Sequence, residues 1–322
     1  MPAAYNRGSP INTGNPMSAS VPASNPLLDF SSLPRFAGVT PAHIAPAIEQ
    51  LVTGCKATVE KLASDPGVPT WDHFVTPLDD ATEQLGRAWA TISHLNAVVN
   101  SPELREAYNA ALPVVTQFWA EVSQDERLFA RYKALRAAGE YASLDAAQRQ
   151  SLENELRDFR LGGAELADDK KARYQAVQEK LSTLMSRFND NVLDATNAFS
   201  VIVENENELG GLPDDAIAAA REAAQKDGKA GWKFTLHAPS YMPVMQYAGY
   251  RPLREQLYRA YVTRASDLGG NRDWDNSAVM REILALRAEV AALLGYRSYA
   301  EVSLVPKMAQ SPDEVVTFLR DM

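Results

Sequence analysis

A single cysteine, Cys55, is the first scarcity in this chain of 322 residues. It excludes an internal disulfide and fits a reducing compartment. The ordinary reading of Cys55 is a small buried apolar residue in a helix. The alternative, a reactive thiol, needs a histidine close in space. Histidine is scarce too: His43, His73, His94 and His237 make four. No two stand four residues apart, so this chain contains no H-E-x-x-H zinc helix. No glycine-rich stretch has phosphate-cradling spacing; "DGKAGWK" fits neither the P-loop nor the dinucleotide pattern. A G-x-S-x-G nucleophile elbow is missing as well. Basic charge is short, with 32 Lys and Arg against 41 Asp and Glu and a net charge of -9. An acidic chain without a basic cluster argues against nucleic acid and against anionic membrane surfaces as partners. No run approaches about 18 uninterrupted apolar residues, so no transmembrane helix is expected.

What is present is ordinary globular composition, 46% hydrophobic and 23% charged. Residues 1–24 are rich in Pro, Ser, Asn and Gly and lack the apolar core of a signal peptide, so they are expected to be disordered, in a cytoplasmic protein. Met17 offers a second start. From Thr40 onward the chain reads mostly as helix. Thr40 with Pro41, Ser101 with Pro102, and Ser311 with Pro312 and Glu314 are N-terminal signals: a hydroxyl to accept a free N–H, then a proline that needs none. In segment 170–193, Tyr174, Val177, Leu181, Leu184, Phe188 and Val192 recur at three and four residues, one face of an amphipathic helix. Val279, Ile283, Leu286, Val290 and Leu293 repeat the pattern, and Gly295 stops it. Pro213, two acids, Lys226 and Gly228 mark a helix over 213–228. Flanking it, "FSVIVE" (199–204) and "WKFTLH" (232–237) are β-branched or alternate with period two, which predicts a small two-stranded element.

Three stretches invite a chemical reading. Asn271, Asp273, Asp275 and Glu282 occupy positions 1, 3, 5 and 12 of a calcium loop. But Asn276 stands where the sharp turn wants glycine, and the competing reading is that Asp275, Asn276 or Ser277 caps the next helix. Tyr247, Tyr250, Tyr258 and Tyr261 sit among Arg251, Arg254, Arg259 and Arg264. Such a set suits a peptide-binding cleft, yet core aromatics with a solvated arginine face explain the spacing as well and are the favoured reading. His94 reads as a helix histidine hydrogen-bonded within the structure, and His237 as a strand-end residue.

The segments "SHLNAVVNSPELREAYNAALP", "NVLDATNAF", "YRAYVTRASD", "WDNSAVMREILALRAEVAALLGYRSYAEVSL" and "KMAQSP" resemble, in order, the thimet oligopeptidase family of zinc metallopeptidases. The resemblance runs from about Asn25 to Met322. It implies a mostly α multi-helix peptidase lobe with the small two-stranded β element, truncated before the zinc-binding helix. The division it implies is a disordered extension over 1–24, an amino-terminal helical domain over 25–225, and the beginning of the peptidase domain over 226–322. The full-length family is expected to use zinc on short unstructured peptides. The family's zinc ligands, its general base and its transition-state donors have no matching positions here. No catalytic, cofactor-binding or metal-ligating residue is therefore assigned, no zinc is expected on this chain, and it is expected to be inactive alone. The alternative is a non-enzymatic helical peptide- or protein-binding protein derived from the same fold. Val290, Leu293 and Leu294, together with Val315, Phe318 and Leu319, are expected to leave apolar surface exposed and to drive self-association.

Overall fold

The computed structural model describes residues 25–322; the expectation for residues 1–24 lies outside that span. The described chain is mostly α, with twelve α-helices and one two-stranded antiparallel sheet. Helices α1 (Pro41–Ser64), α2 (Thr76–Val98) and α3 (Pro102–Ser123) pack around Ile44, Ile48, Leu85, Ile92, Val115 and Phe118. Cys55 belongs to this core. The lower halves of α1 and α2 meet α4 (Glu126–Ala137) and α5 (Ala146–Leu161) over a second core of Phe74, Leu128, Tyr132, Leu135, Leu152 and Leu156.

The start signals work as their chemistry demands. Thr40 N donates to His43 Nδ1 at 3.1 Å ahead of α1, and Leu104 N donates to Ser101 Oγ at 3.2 Å ahead of α3. In α12 (Pro312–Asp321), Glu314 N donates to Ser311 Oγ at 3.1 Å. The Glu314 carboxylate accepts from Gln310 N at 2.6 Å, one residue before the position that a capping box would use.

Helix α6 (Asp168–Ala198) is the longest element, at 31 residues. Its stripe of Tyr174, Val177, Leu181 and Leu184 closes a third core with Val279, Ile283 and Val290 of α10 (Ser277–Leu293). Of the apolar residues expected to leave some surface exposed, Val290 is buried and Leu293 and Leu294 pack partly buried against the same core. The reason is that their stripe meets that of α6 along its length. The exposure is instead on α12, where Phe318 and Leu319 are 64% and 63% exposed.

Strand β1 (Ser200–Val203) pairs antiparallel with β2 (Trp232–Thr235), Val201 opposite Phe234. Between them runs α7 (Asp214–Lys226), ended by Gly228 at φ +68°. Gly231 enters β2 at φ +88°, and a Cβ there would sit 2.3 Å from Val203 O, so only glycine lets the strands close. The sheet shares a fourth core with α7, α8 (Ala238–Tyr247) and α9 (Arg251–Thr263), built on Phe234, Leu236, Val244, Leu253 and Leu257. β1 and β2 lie on opposite sides of residue 226. The short α11 (Tyr299–Leu304) connects α10 to α12.

The calcium-loop residues serve the fold. Asn271 accepts from Asp273 N at 3.0 Å, and Asp275 accepts from Ser277 N at 2.8 Å at the start of α10. Asn276 is only 2% exposed. Its Nδ2 donates to Phe188 O at 3.0 Å, and its Oδ1 accepts from Asn191 Nδ2 at 2.9 Å. Its N–H donates to the carbonyl of Ala265, a residue at φ +50°. The turn before α10 is thus fastened to α6 through one buried amide.

Two measurements follow from these contacts. Asn276→Ala strands the buried amide of Asn191 and the Phe188 carbonyl, and is expected to cost about 2–3 kcal/mol in urea unfolding. Asn191→Ala on that background should add less than it does alone, because the two share one bond. The second concerns Glu155 of α5, whose carboxyl is pushed up to about 7, first by burial and then by Asp79 and Asp158. The folded state therefore holds this proton more tightly than the unfolded chain. Its stabilising contribution is complete below about pH 4.5 and is lost as pH rises through about 7. Glu155→Gln should raise stability at pH 8 by about 2 kcal/mol and flatten the fall between pH 4.5 and 7. An unchanged pH profile would show that the carboxyl is solvated.

Candidate functional site

Helix α6 shares its apolar stripe with α10, and Tyr174 and Leu181 of that stripe also border the space toward α3, where the direct contacts are polar. Arg105 of α3 grips Asp194 through two bonds of 2.7 Å each. Its buried Nε lies 3.5 Å from Asp190 Oδ1, too far for a hydrogen bond. Further along, Ser186 Oγ donates to Asn109 Oδ1 at 3.0 Å and the hydroxyls of Thr116 and Ser182 meet at 2.9 Å. Near the start of α6, Lys171 pairs with Glu126 of α4. Rising numbers on α3 meet falling numbers on α6, so the two helices run antiparallel. α10 also runs antiparallel to α6: Arg173 pairs with Glu289, and Lys180 with Glu282.

Because hydroxyls and amides hold this seam, the helices do not close on each other as apolar faces would. A groove of about 880 Å³ follows the seam, with α2 on one side and Arg287 and Tyr299 near the start of α6. Its walls carry rungs of two kinds. Ser93, Thr116, Ser182 and Ser186 present hydroxyls, and Asn96, Gln178 and Asn189 present amides. Trp119, which is 39% exposed, and Tyr108, Tyr174 and Met185 supply flat apolar surface. Tyr108 is held by stacking on Trp89 with centroids 4.9 Å apart. Tyr174 donates to Leu161 O at 2.7 Å, and burial pushes its phenol up to about 12, so it remains a neutral donor.

The groove has one charge of each sign among its lining residues, Asp190 and Arg287. Burial raises the Asp190 carboxyl above its ordinary range, against the pull of Arg105 and a bond from Asn109. Arg287 lies over the Tyr299 ring, 5.0 Å from its centroid.

The residues singled out by sequence fall elsewhere. His94 lies on the surface, edge-on to Phe36 at 5.4 Å, and among the described residues its ring makes no hydrogen bond; the expected internal bond is corrected. His237 is exposed at the start of α8, just past β2, and His43 caps α1. Cys55 Sγ donates to Ala81 O at 3.1 Å, and burial pushes its thiol up to about 11. Of the tyrosine and arginine set, Tyr261 stacks on Tyr241 at 4.3 Å under Arg264. Tyr247, Tyr250 and Tyr258 are exposed, which corrects the expectation of core aromatics. For Tyr258 the cause is that Leu253 and Leu257 already fill the buried stripe of α9, while Tyr247 ends α8 and Tyr250 lies in the turn before α9. None of these lines the groove, which pairs helices far apart in sequence and so leaves no local signal.

Among the described residues no three of His, Cys, Asp and Glu come together as a metal site. A catalytic zinc therefore finds no fitting donor set here, and no step is derived through one.

The description "Neurolysin/Thimet oligopeptidase, N-terminal domain" matches residues 48–171, and "Peptidase family M3" matches residues 244–322. Oligopeptidase A of Haemophilus influenzae is 48% identical over 297 residues, covering 92% of this chain and 44% of the relative. Oligopeptidase A of Escherichia coli is 44% identical over 300 residues, 93% of this chain and 44% of the relative. The more distant dipeptidyl carboxypeptidase of Escherichia coli is 27% identical, with 92% and 44% covered. The chain belongs to peptidase family M3, a family of zinc-dependent peptidases, and spans about 44% of the length of these relatives.

The burial of Cys55 has a direct consequence. In the folded protein it should react with an aromatic disulfide reagent at least a hundredfold more slowly than in denaturant, since the thiolate is the reacting form. Rapid native labelling would show that the core around α1 opens.

Proposed function

We propose that this chain is the amino-terminal part of a cytoplasmic zinc metalloendopeptidase of the oligopeptidase A kind. It forms one wall of a channel for short unstructured peptides and hydrolyses none by itself. The observation that carries this reading is the match to oligopeptidase A over 92% of the chain. The groove along α3 and α6 supports it: an extended peptide has unpaired amides, and rungs of hydroxyl and amide groups answer them. Cleavage needs a water made nucleophilic by a metal or a base. Among the groove's lining residues Asp190 is the one carboxylate, with no histidine, cysteine or second carboxylate beside it to hold a metal or share the activation of a water. The cytoplasmic assignment draws support from a relative in Arabidopsis thaliana described as a probable cytosolic oligopeptidase A, although another there is described as organellar. On the same reading Val316, Phe318 and Leu319, all exposed on α12, associate with further polypeptide or with a second copy.

The purified chain, incubated with a fluorogenic short peptide and added zinc, should give no chelator-sensitive hydrolysis. Adding the separately expressed carboxyl half of Escherichia coli oligopeptidase A should restore it and lower the concentration-dependent self-association. Chelator-sensitive cleavage by the chain alone would overturn the assignment.

A further inference from the structure

The groove has a direction. Its negative end lies where Asp190 and Asp194 of α6 share the single guanidinium of Arg105. Arg105 is committed to Asp194 through both terminal nitrogens, while Asp190 meets only Nε at 3.5 Å. Two carboxylates against one cation leave one negative charge over, and Asp190 is the one that lines the groove. The positive end lies at the start of α6. Arg173 pairs there with Glu289, which places the neighbouring turn of α10, with Arg287, beside Tyr174. Among the described residues Arg287 has no carboxylate within ion-pairing distance; Tyr299 is its companion. Each end therefore has one charge to spare, and the two are of opposite sign.

The distance between the ends follows from helix geometry. At 1.5 Å per residue, Tyr174 and Asp190 are about 24 Å apart along α6. An extended chain rises about 3.4 Å per residue, so about seven residues span that length. Between the ends the rungs are neutral, so nothing along the wall competes with the terminal charges for orientation.

We propose that the α3/α6 groove takes short peptides in one direction only, the amino-terminal ammonium at Asp190 and the carboxylate end at Arg287, and favours a length of about seven residues. This rests on the reading of the groove as a peptide site, and it assigns Asp190 and Arg287 as the residues that set direction and length. Electrostatics at partly buried ends fixes register more than it adds affinity, so the expected effects are modest and specific.

The test is calorimetric titration of the purified chain with an unlabelled, otherwise neutral heptapeptide carrying one central phenylalanine. Acetylating its amino end and amidating its carboxyl end should each weaken binding about fivefold. In Asp190→Asn the acetylated and free peptides should bind alike, while amidation keeps its effect. In Arg287→Gln the pattern should reverse. A four-residue peptide cannot reach both ends, so it should respond to one cap at most. The capping series on the unaltered chain stands even if a variant fails to fold. Equal binding of free and capped heptapeptides would overturn direction and length and leave the peptide site intact. Absence of binding by every peptide would overturn the peptide site itself. A dimer that persists after Phe318→Ser and Leu319→Ser on α12 and that blocks titration would show that a second copy fills the groove, which overturns the proposal as well.

Discussion

One helix has to satisfy two neighbours, and the rest of the arrangement follows from how it does so. α6 places Tyr174, Val177, Leu181 and Leu184 in the core it shares with α10, and Tyr174 and Leu181 also line the groove. A second apolar stripe would have made it a fully buried helix and sealed it against α3. Instead its side toward α3 mixes polar and apolar residues, and the two helices are held by directional bonds at Arg105, Asn109 and Thr116. Directional bonds fix spacing without demanding close contact over the whole surface. The groove is the space that this choice leaves open.

Arg105 is the member of that seam with most at stake. Its side chain and that of Asp194 are both largely sheltered, at 23% and 29% exposure. A pair of this kind adds little net stability over an apolar pair of similar shape, but removing one partner leaves a sheltered charge without compensation. Its value here is positional. The bidentate geometry sets both the separation and the axial register of α3 on α6, and register decides which rungs face each other across the groove.

Much of the architecture was legible in the sequence because its signals are local. Ser101, Ser311, Gly228 and Gly295 act within one turn, and the stripes of α6 and α10 are periodic within one element. The two strands were readable for the same reason: Trp232, Phe234 and Leu236 alternate with polar neighbours. What was not legible depends on pairings across long separations. Arg105 meets Asp194 across 89 residues, and Asn191 meets Asn276 across 85. Neither sequence position announces its partner. Asn276 even misdirects, since an asparagine just before a helix reads as a cap, while burial turns it into a structural amide. The tyrosines misdirect in the opposite sense. Aromatic residues at helical spacing read as core, but spacing alone does not say which stripe wins the core. In α9 the leucines win it.

The groove's composition also bears on what kind of polypeptide it suits. A folded protein presents strands and helices whose amides are already paired, and it would gain little from a wall of serine, threonine and asparagine side chains. A short extended peptide brings an unpaired donor and acceptor at each residue, and every one left unanswered away from water carries a penalty of about 1–3 kcal/mol. On the proposed reading, rungs that both donate and accept answer either group, which favours extended backbone without selecting a side-chain sequence. Trp119, Tyr108 and Met185 add apolar surface with little shape restriction, since a flat ring and a flexible thioether accept many partners. On the proposed reading, tolerance of sequence and preference for unfolded chain therefore have one source. Both come from a helix that turned polar side chains toward its neighbour.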